Sequence, residues 1–374
     1  MTIKTYYIFL IFAIIILGCK DEFLLETTNY KPILVVNGMI TNEANPYTIT
    51  LSTSSPINTL EKYPYENCII TLYENSDKSE VLKENEPGIY VTSEGSIQGS
   101  VGNNYSISIL TPEGNEYITE PQEMKGSVEI DSVYAELIEI EDINYIYGLP
   151  GYQFYIDTKT ASNQESYFLW NMIETYQYRA NYPLWDIINM DDITLEEYKE
   201  LYRCWKTRNS GYIFTGKTSN LTIPKIVHQP LHFVGTDTKK LQERYSLLLK
   251  QYSIGKESYY FWKSIEDQNS EENFLVASQP YNVIGNIKNI NNPDESVFGN
   301  FTVASVTQKR IFIDAPRVAF YYDDGCSLNF DFKPYLPAFL VDIDDWGIAK
   351  VNEGCINCTF EGGEATKPDF WIDK

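Results

Sequence analysis

Two histidines are all the imidazole this 374-residue chain has, and they stand four apart in His228-Gln-Pro-Leu-His232. A base for a serine or cysteine nucleophile, or a nitrogen ligand for zinc, would have to come from this pair. Pro230 disfavours the helical turn that would put both rings on one face, and no third nearby ligand completes a zinc set. Surface or half-buried positions are the expectation for both. Asp342-Ile-Asp-Asp-Trp-Gly, with Glu353 further on, meets a calcium-loop template at its first, third, sixth and twelfth places. Trp346 takes the fifth place, where an oxygen ligand belongs, and Pro334 and Pro337 argue against an entering helix. Asp342, Asp344 and Glu353 are therefore weak metal candidates, set against an acidic surface loop. The sequence has no Gly-x-Ser-x-Gly elbow, His-Glu-x-x-His pair or dinucleotide fingerprint. No catalytic residue is assigned, no cofactor beyond a covalent lipid is expected, and the expectation is a protein that is not an enzyme.

The thiols offer more. Lys4 gives the amino terminus a positive end, Tyr6 to Leu17 are almost unbroken apolar residues, and Leu17-Gly18-Cys19 closes the run before Lys20-Asp21-Glu22. This is the layout of a targeting segment, and the run is shorter than the roughly 20 residues of a spanning helix. Gly18-Cys19 resembles the bacterial lipobox, in which the cysteine thiol takes a diacylglyceryl group and signal peptidase II cuts before it. Several acyl chains on Cys19, at about 0.8 kcal/mol per buried CH₂, exceed what a single chain gives and make attachment lasting. Residues 1–18 are thus expected to be removed, with 19–31 forming a lipidated tether. Lys20-Asp21-Glu22 resembles the acidic export signal of Bacteroidota surface lipoproteins, and read blandly it is a solvated tether.

With Cys19 given to lipid, Cys68, Cys204, Cys326, Cys355 and Cys358 remain for a compartment that permits disulfides. Five is odd, so one thiol stays over, and Cys68 is the candidate because it lies far from the rest in a strand-like run. Cys355-Ile-Asn-Cys358 has the spacing of a redox or zinc half-site, but the surrounding pattern is not βαβ. Cys204, Cys326, Cys355 and Cys358 are the disulfide candidates, with their pairing open.

The elements that must hold these residues are mostly strands. Ile33 to Ile40, Tyr47 to Leu51, Cys68 to Tyr73, Gly88 to Thr92 and Tyr105 to Leu110 are rich in β-branched and aromatic residues at sandwich-like spacing. A polar stretch, Glu120 to Gly126, marks a boundary, so residues 32–124 are expected as a β-sandwich and 125–374 as a larger β-rich domain. Helices are confined to insertions: one after the capping Thr194, and one over Lys256 to Asn269. The fold class expected is mainly β. Fifty-two acidic against 29 basic side chains give a net charge of −23, which repels phosphate backbones and excludes nucleic acid as a partner. Thirty tyrosines and six tryptophans suit sugar stacking, protein interfaces or a plain core equally well.

Several segments together resemble the Bacteroidota outer-membrane lipoproteins of the domain-of-unknown-function 4249 family. They are Cys204-Trp205, Tyr245-Ser246 through Gln251-Tyr252, Tyr260-Phe-Trp262, Gln279-Pro280 with Gly285-Asn286-Ile287, Phe298-Gly-Asn-Phe301, Lys309 to Phe312, Cys355 to Cys358 with Gly362-Gly363, and Pro368 to Trp371. The resemblance implies an immunoglobulin-like or carboxypeptidase-regulatory-like amino-terminal sandwich. It also implies a lipid-anchored outer-membrane protein facing the cell surface, often encoded beside a TonB-dependent receptor. It brings no catalytic residues. The function expected is a non-enzymatic accessory or binding subunit beside such a receptor or another outer-membrane barrel. The alternatives are a surface glycan- or peptide-binding protein and, behind it, a carboxylate-based hydrolase whose paired acids would meet only through the fold.

Overall fold

The computed structural model describes residues 32–373 apart from 45, 56–62, 160–164, 189–193, 220, 271–284, 323–324 and 334–335. The leader, Cys19, Lys20-Asp21-Glu22, Gln279-Pro280 and Pro334 lie outside the described residues.

The period-two alternation of the sequence becomes strand wherever it occurs. The first ten strands are β1 (Leu34–Thr41), β2 (Thr48–Thr53), β3 (Tyr63–Pro64), β4 (Ile69–Glu74), β5 (Lys78–Val81), β6 (Lys83–Glu86), β7 (Ile89–Val91), β8 (Asn104–Leu110), β9 (Glu116–Thr119) and β10 (Gln122–Glu123). Next come β11 (Ile130–Asp142), β12 (Tyr145–Thr158), β13 (Tyr167–Arg179), β14 (Asp186–Ile188), helix α1 (Leu195–Glu200), β15 (Arg203–Asn209), β16 (Phe214–Lys217), β17 (Gln229–Gly235) and β18 (Arg244–Ile254). Helix α2 (Lys256–Ser270), β19 (Ile287–Asn289), β20 (Phe298–Asp314), β21 (Ala338–Ile343) and β22 (Gly347–Val351) complete the series. At 50% strand against 11% helix the chain is mainly β. Thr194 caps α1 in a box with Glu197, each side chain meeting the other's backbone N–H. Among the described residues no helix is long and apolar enough to cross a membrane.

One ten-stranded sheet has the order β15-β13-β18-β20-β1-β2-β7-β6, with β16 beside β13 and β3 beside β2. Its centre is a parallel pairing of β1 with β20, from Val35 opposite Phe298 to Thr41 opposite Ala304. Strands from either side of residue 125 therefore share a sheet. A second sheet, β19-β9-β8-β4-β5, also takes its edge strand β19 from far along the chain. Leu34, Val36, Ile40, Ile49 and Leu51 of the large sheet and Ile70, Leu72, Tyr105, Ile107 and Ile109 of the second share one core, which Ile287, Val297, Phe301 and Val303 join from the later segment.

At the other end, β11-β12-β17 form a three-stranded sheet. Val133, Phe154, Ile156 and Leu231 from it pack with Phe168, Trp170, Met172, Leu247 and Leu249 of the large sheet. The opposite face of the large sheet is covered at one end by α2, where Tyr259 joins Tyr167, Leu169 and Ile254. Farther along that face Trp371, 5% exposed, stands edge-on to Phe312 at 5.4 Å and to Trp205 at 6.4 Å. Gly299, which turn chemistry would place in a turn or bulge, lies inside paired β20 opposite Val36 with φ of +94°.

Candidate functional site

The candidate cysteines resolve into two bonds: Cys204 joins Cys358, and Cys326 joins Cys355. Cys355 and Cys358, so close in sequence, thus serve different partners and form no dithiol of their own. Cys204–Cys358 fastens the carboxyl-terminal segment to β15, and the Tyr178 hydroxyl donates to the Cys358 carbonyl at 2.6 Å. Cys68 is a free, buried thiol. Burial pushes it up to about 11, which leaves it a thiol, not a thiolate nucleophile, near neutral pH.

The weak metal candidates do not converge. Asp342 is on β21, Asp344 sits in a short 3₁₀ turn with φ of +31°, and the Glu353 carboxylate accepts from the Tyr198 hydroxyl at 2.9 Å. No group of three or more His, Cys, Asp or Glu side chains among the described residues is placed to hold a metal ion.

The two histidines also part company. His228 is exposed, with φ of +54°, its Nδ1 at 2.8 Å from the Tyr134 hydroxyl and its ring stacked on Tyr155 at 4.0 Å between centroids. Tyr134 in turn stacks on Tyr155. These rings cover one another's faces and do not lie side by side as a flat platform. His232 instead points into the layer between sheets, where its Nε2 lies 3.1 Å from Glu174 Oε1.

Glu174 is the centre of a charged interior cluster, and its side chain is fully buried. Arg208 of β15 donates to it at 2.9 Å, and the Lys240 ammonium, from the 3₁₀ turn Lys239–Leu241, stands 3.0 Å away. Burial alone would raise the carboxyl, but His232, Lys240 and Arg208 outweigh it and hold it far below the usual carboxylate range. Burial holds Lys240 below its ordinary range although Glu174 acts against this. Such a carboxylate stays ionised and cannot accept a proton near neutral pH, so the cluster ties β13, β15, β17 and the 3₁₀ turn together. Parity is the sequence signal that could have exposed it. Phe168, Trp170, Met172, Tyr176 and Tyr178 share Glu174's side of β13, and a lone acid in that series must have partners.

Across the same sheet end, a polar recess of about 480 Å³ is lined by Gln177, Arg179, Arg203, Gln242, Glu243, Arg244, Asp314 and Asp373. The register explains the gathering: Arg179 is opposite Arg203, Gln177 opposite Arg244, and Arg244 opposite Asp314. Glu243 bridges two guanidinium groups, at 2.8 Å from Arg179 Nε and 2.9 Å from Arg203 Nε. Three arginines face three carboxylates, so the recess is charge-balanced. It can recognise a ligand through planar hydrogen-bonding forks.

A family model described as Domain of unknown function (DUF4249) matches residues 20–310 of the chain. Comparison with the curated proteins finds no match.

Proposed function

Because that match spans well over half of the 374 residues, the chain belongs to the domain-of-unknown-function DUF4249 family, and from this premise we propose that it is a lipid-anchored outer-membrane protein of Bacteroidota. In this reading the protein faces the cell surface and works without catalysis as an accessory or binding subunit beside a TonB-dependent receptor. The observation that carries the reading is the place of β1. The first strand after the Cys19 tether is an inner strand of the ten-stranded sheet, flanked by β20 and β2. An anchor on Cys19 is then coupled to the whole body through residues 20–33, a span of at most about 50 Å when fully extended. The Cys204–Cys358 and Cys326–Cys355 bonds support an oxidising compartment. The immunoglobulin-like sandwich over residues 32–124 belongs to the same proposal, its layers completed by β19 and β20.

Labelling cells with an alkynyl palmitate tests the anchor. The wild-type chain is expected to take the label and sediment with outer membranes, while Cys19→Ala loses the label and leaves the membrane fraction. Affinity purification of the wild-type chain from detergent-solubilised membranes is expected to bring down a β-barrel receptor, and recovery of the chain alone would overturn the partnership. The arginine-lined recess favours peptide capture as a second reading, since alternating guanidinium and carboxylate groups match peptide termini and charged side chains. Titration with a charged-peptide library would show saturable binding that Arg179→Ala weakens, and a flat titration removes the idea.

A further inference from the structure

We propose that the free end of the β11–β12 hairpin is a docking prong for a protein partner that receives it in an apolar pocket rimmed by lysine and arginine. Val133 and Leu137 lie on one side of β11, yet Val133 is 7% exposed and Leu137 48%. The hairpin therefore runs past the core that covers its base. At the turn itself Ile143 is 99%, Ile146 94% and Tyr147 83% exposed, while Tyr145 beside them rests against Tyr321 and Leu149 is buried. Three large apolar residues around one tight turn cost solubility and contribute nothing to the packing of this chain, which is the signature of a surface used in association.

The tip is also held in shape. Asp142 Oδ1 accepts from the Asn144 backbone N–H at 2.8 Å and from its side-chain amide at 3.0 Å. Gly148 takes φ of +81° where a Cβ would come within 2.7 Å of Glu139 Cγ. A preorganised prong loses little entropy on docking.

Charge selects the occupant. Residues 126–158 contain no Lys, Arg or His, and Glu136, Glu139, Glu141 and Asp142 lie along the strand that leads into the apolar tip. An anionic lipid headgroup is repelled by these acids, and so is the same hairpin on a second copy. A basic rim around an apolar pocket satisfies both the acids and the bare side chains.

The inference needs the body to stand among other envelope proteins and rests on the proposed function to that extent. The test places a photo-crosslinking residue at Tyr147 of the full-length chain in its own membranes, with palmitate labelling of Cys19 scored in the same preparation. A discrete protein adduct whose linked peptide carries Lys or Arg is expected. It should fall at least tenfold both in Glu139→Lys/Glu141→Lys and in Ile143→Ser/Ile146→Ser, with melting unchanged because all four sites are exposed. No adduct, a lipid adduct, a self-adduct, or an adduct that survives charge reversal overturns the prong. A palmitate label without an adduct removes the prong and leaves the anchor, whereas an adduct without the label does the reverse.

Discussion

At Glu174 a fully buried carboxylate is held by Arg208, His232 and Lys240, and the cost of disturbing it is set by what would be left behind. Glu174→Gln removes the charge but leaves the Lys240 ammonium buried without its counter-charge, so a loss of roughly 3–5 kcal/mol is expected at pH 7 by urea denaturation. The acid limb distinguishes this from a simple packing defect. The folded-state pKa lies below the unfolded value of about 4.3, so its contribution is full above that value and is lost as pH falls towards the folded value. Wild type should therefore lose stability faster than Glu174→Gln between about pH 5 and pH 3, and the gap between them should narrow. Parallel acid limbs would mean that the carboxylate is not ionised in the fold. Little of this cluster was legible in the sequence. His232 was seen as half of a histidine pair, but its true partner is 58 residues upstream, and only the fold supplies Lys240 and Arg208. The cysteines were more legible, because Cys68 stands far from the other four in the sequence and those four are the ones that pair.

Strand pattern, by contrast, was written locally. The alternation over Tyr105 to Leu110 and the apolar run after Arg244 became β8 and β18, since burial on one face needs only the period of two. Thr194 likewise announced α1. What the pattern did not carry was which strands pair. Gly299 shows why: as a glycine next to Asn300 it suits a turn, yet it lies within β20 directly opposite Val36 of β1. A Cβ there would lie 1.8 Å from the Val36 carbonyl oxygen, and φ is already +94°. Gly299→Ala must bend the parallel pairing or move the strand, and a loss of more than about 1 kcal/mol is expected in chemical denaturation. A neutral result would show that β1 and β20 are not in close register at this position.

The scale of the whole molecule follows from that pairing. Residues 32–124 contain the strand spacing of a self-contained sandwich, yet β1 has β20 as a neighbour and β9 has β19. Tyr117 donates to Glu295 at 2.8 Å and Gln122 to the Phe301 carbonyl at 2.9 Å. A fragment of 32–124 would lose the buried side chains of Ile287, Val297, Phe301 and Val303 from its core. At about 1.5–3 kcal/mol for each fully buried side chain, the four amount to roughly 6–12 kcal/mol. That is comparable with the roughly 5–15 kcal/mol by which a whole domain is stable. The fragment is therefore expected to show no cooperative transition by calorimetry, while the body from residue 20 onwards melts with these strands together. Supplying residues 285–305 as a covalent extension should restore a transition, because it returns β19 and the first half of β20 to the edges they close. A cooperative melt from 32–124 alone would mean instead that the shared strands are decoration on an independent unit, and that an anchor at Cys19 is coupled to that unit and not to the entire body.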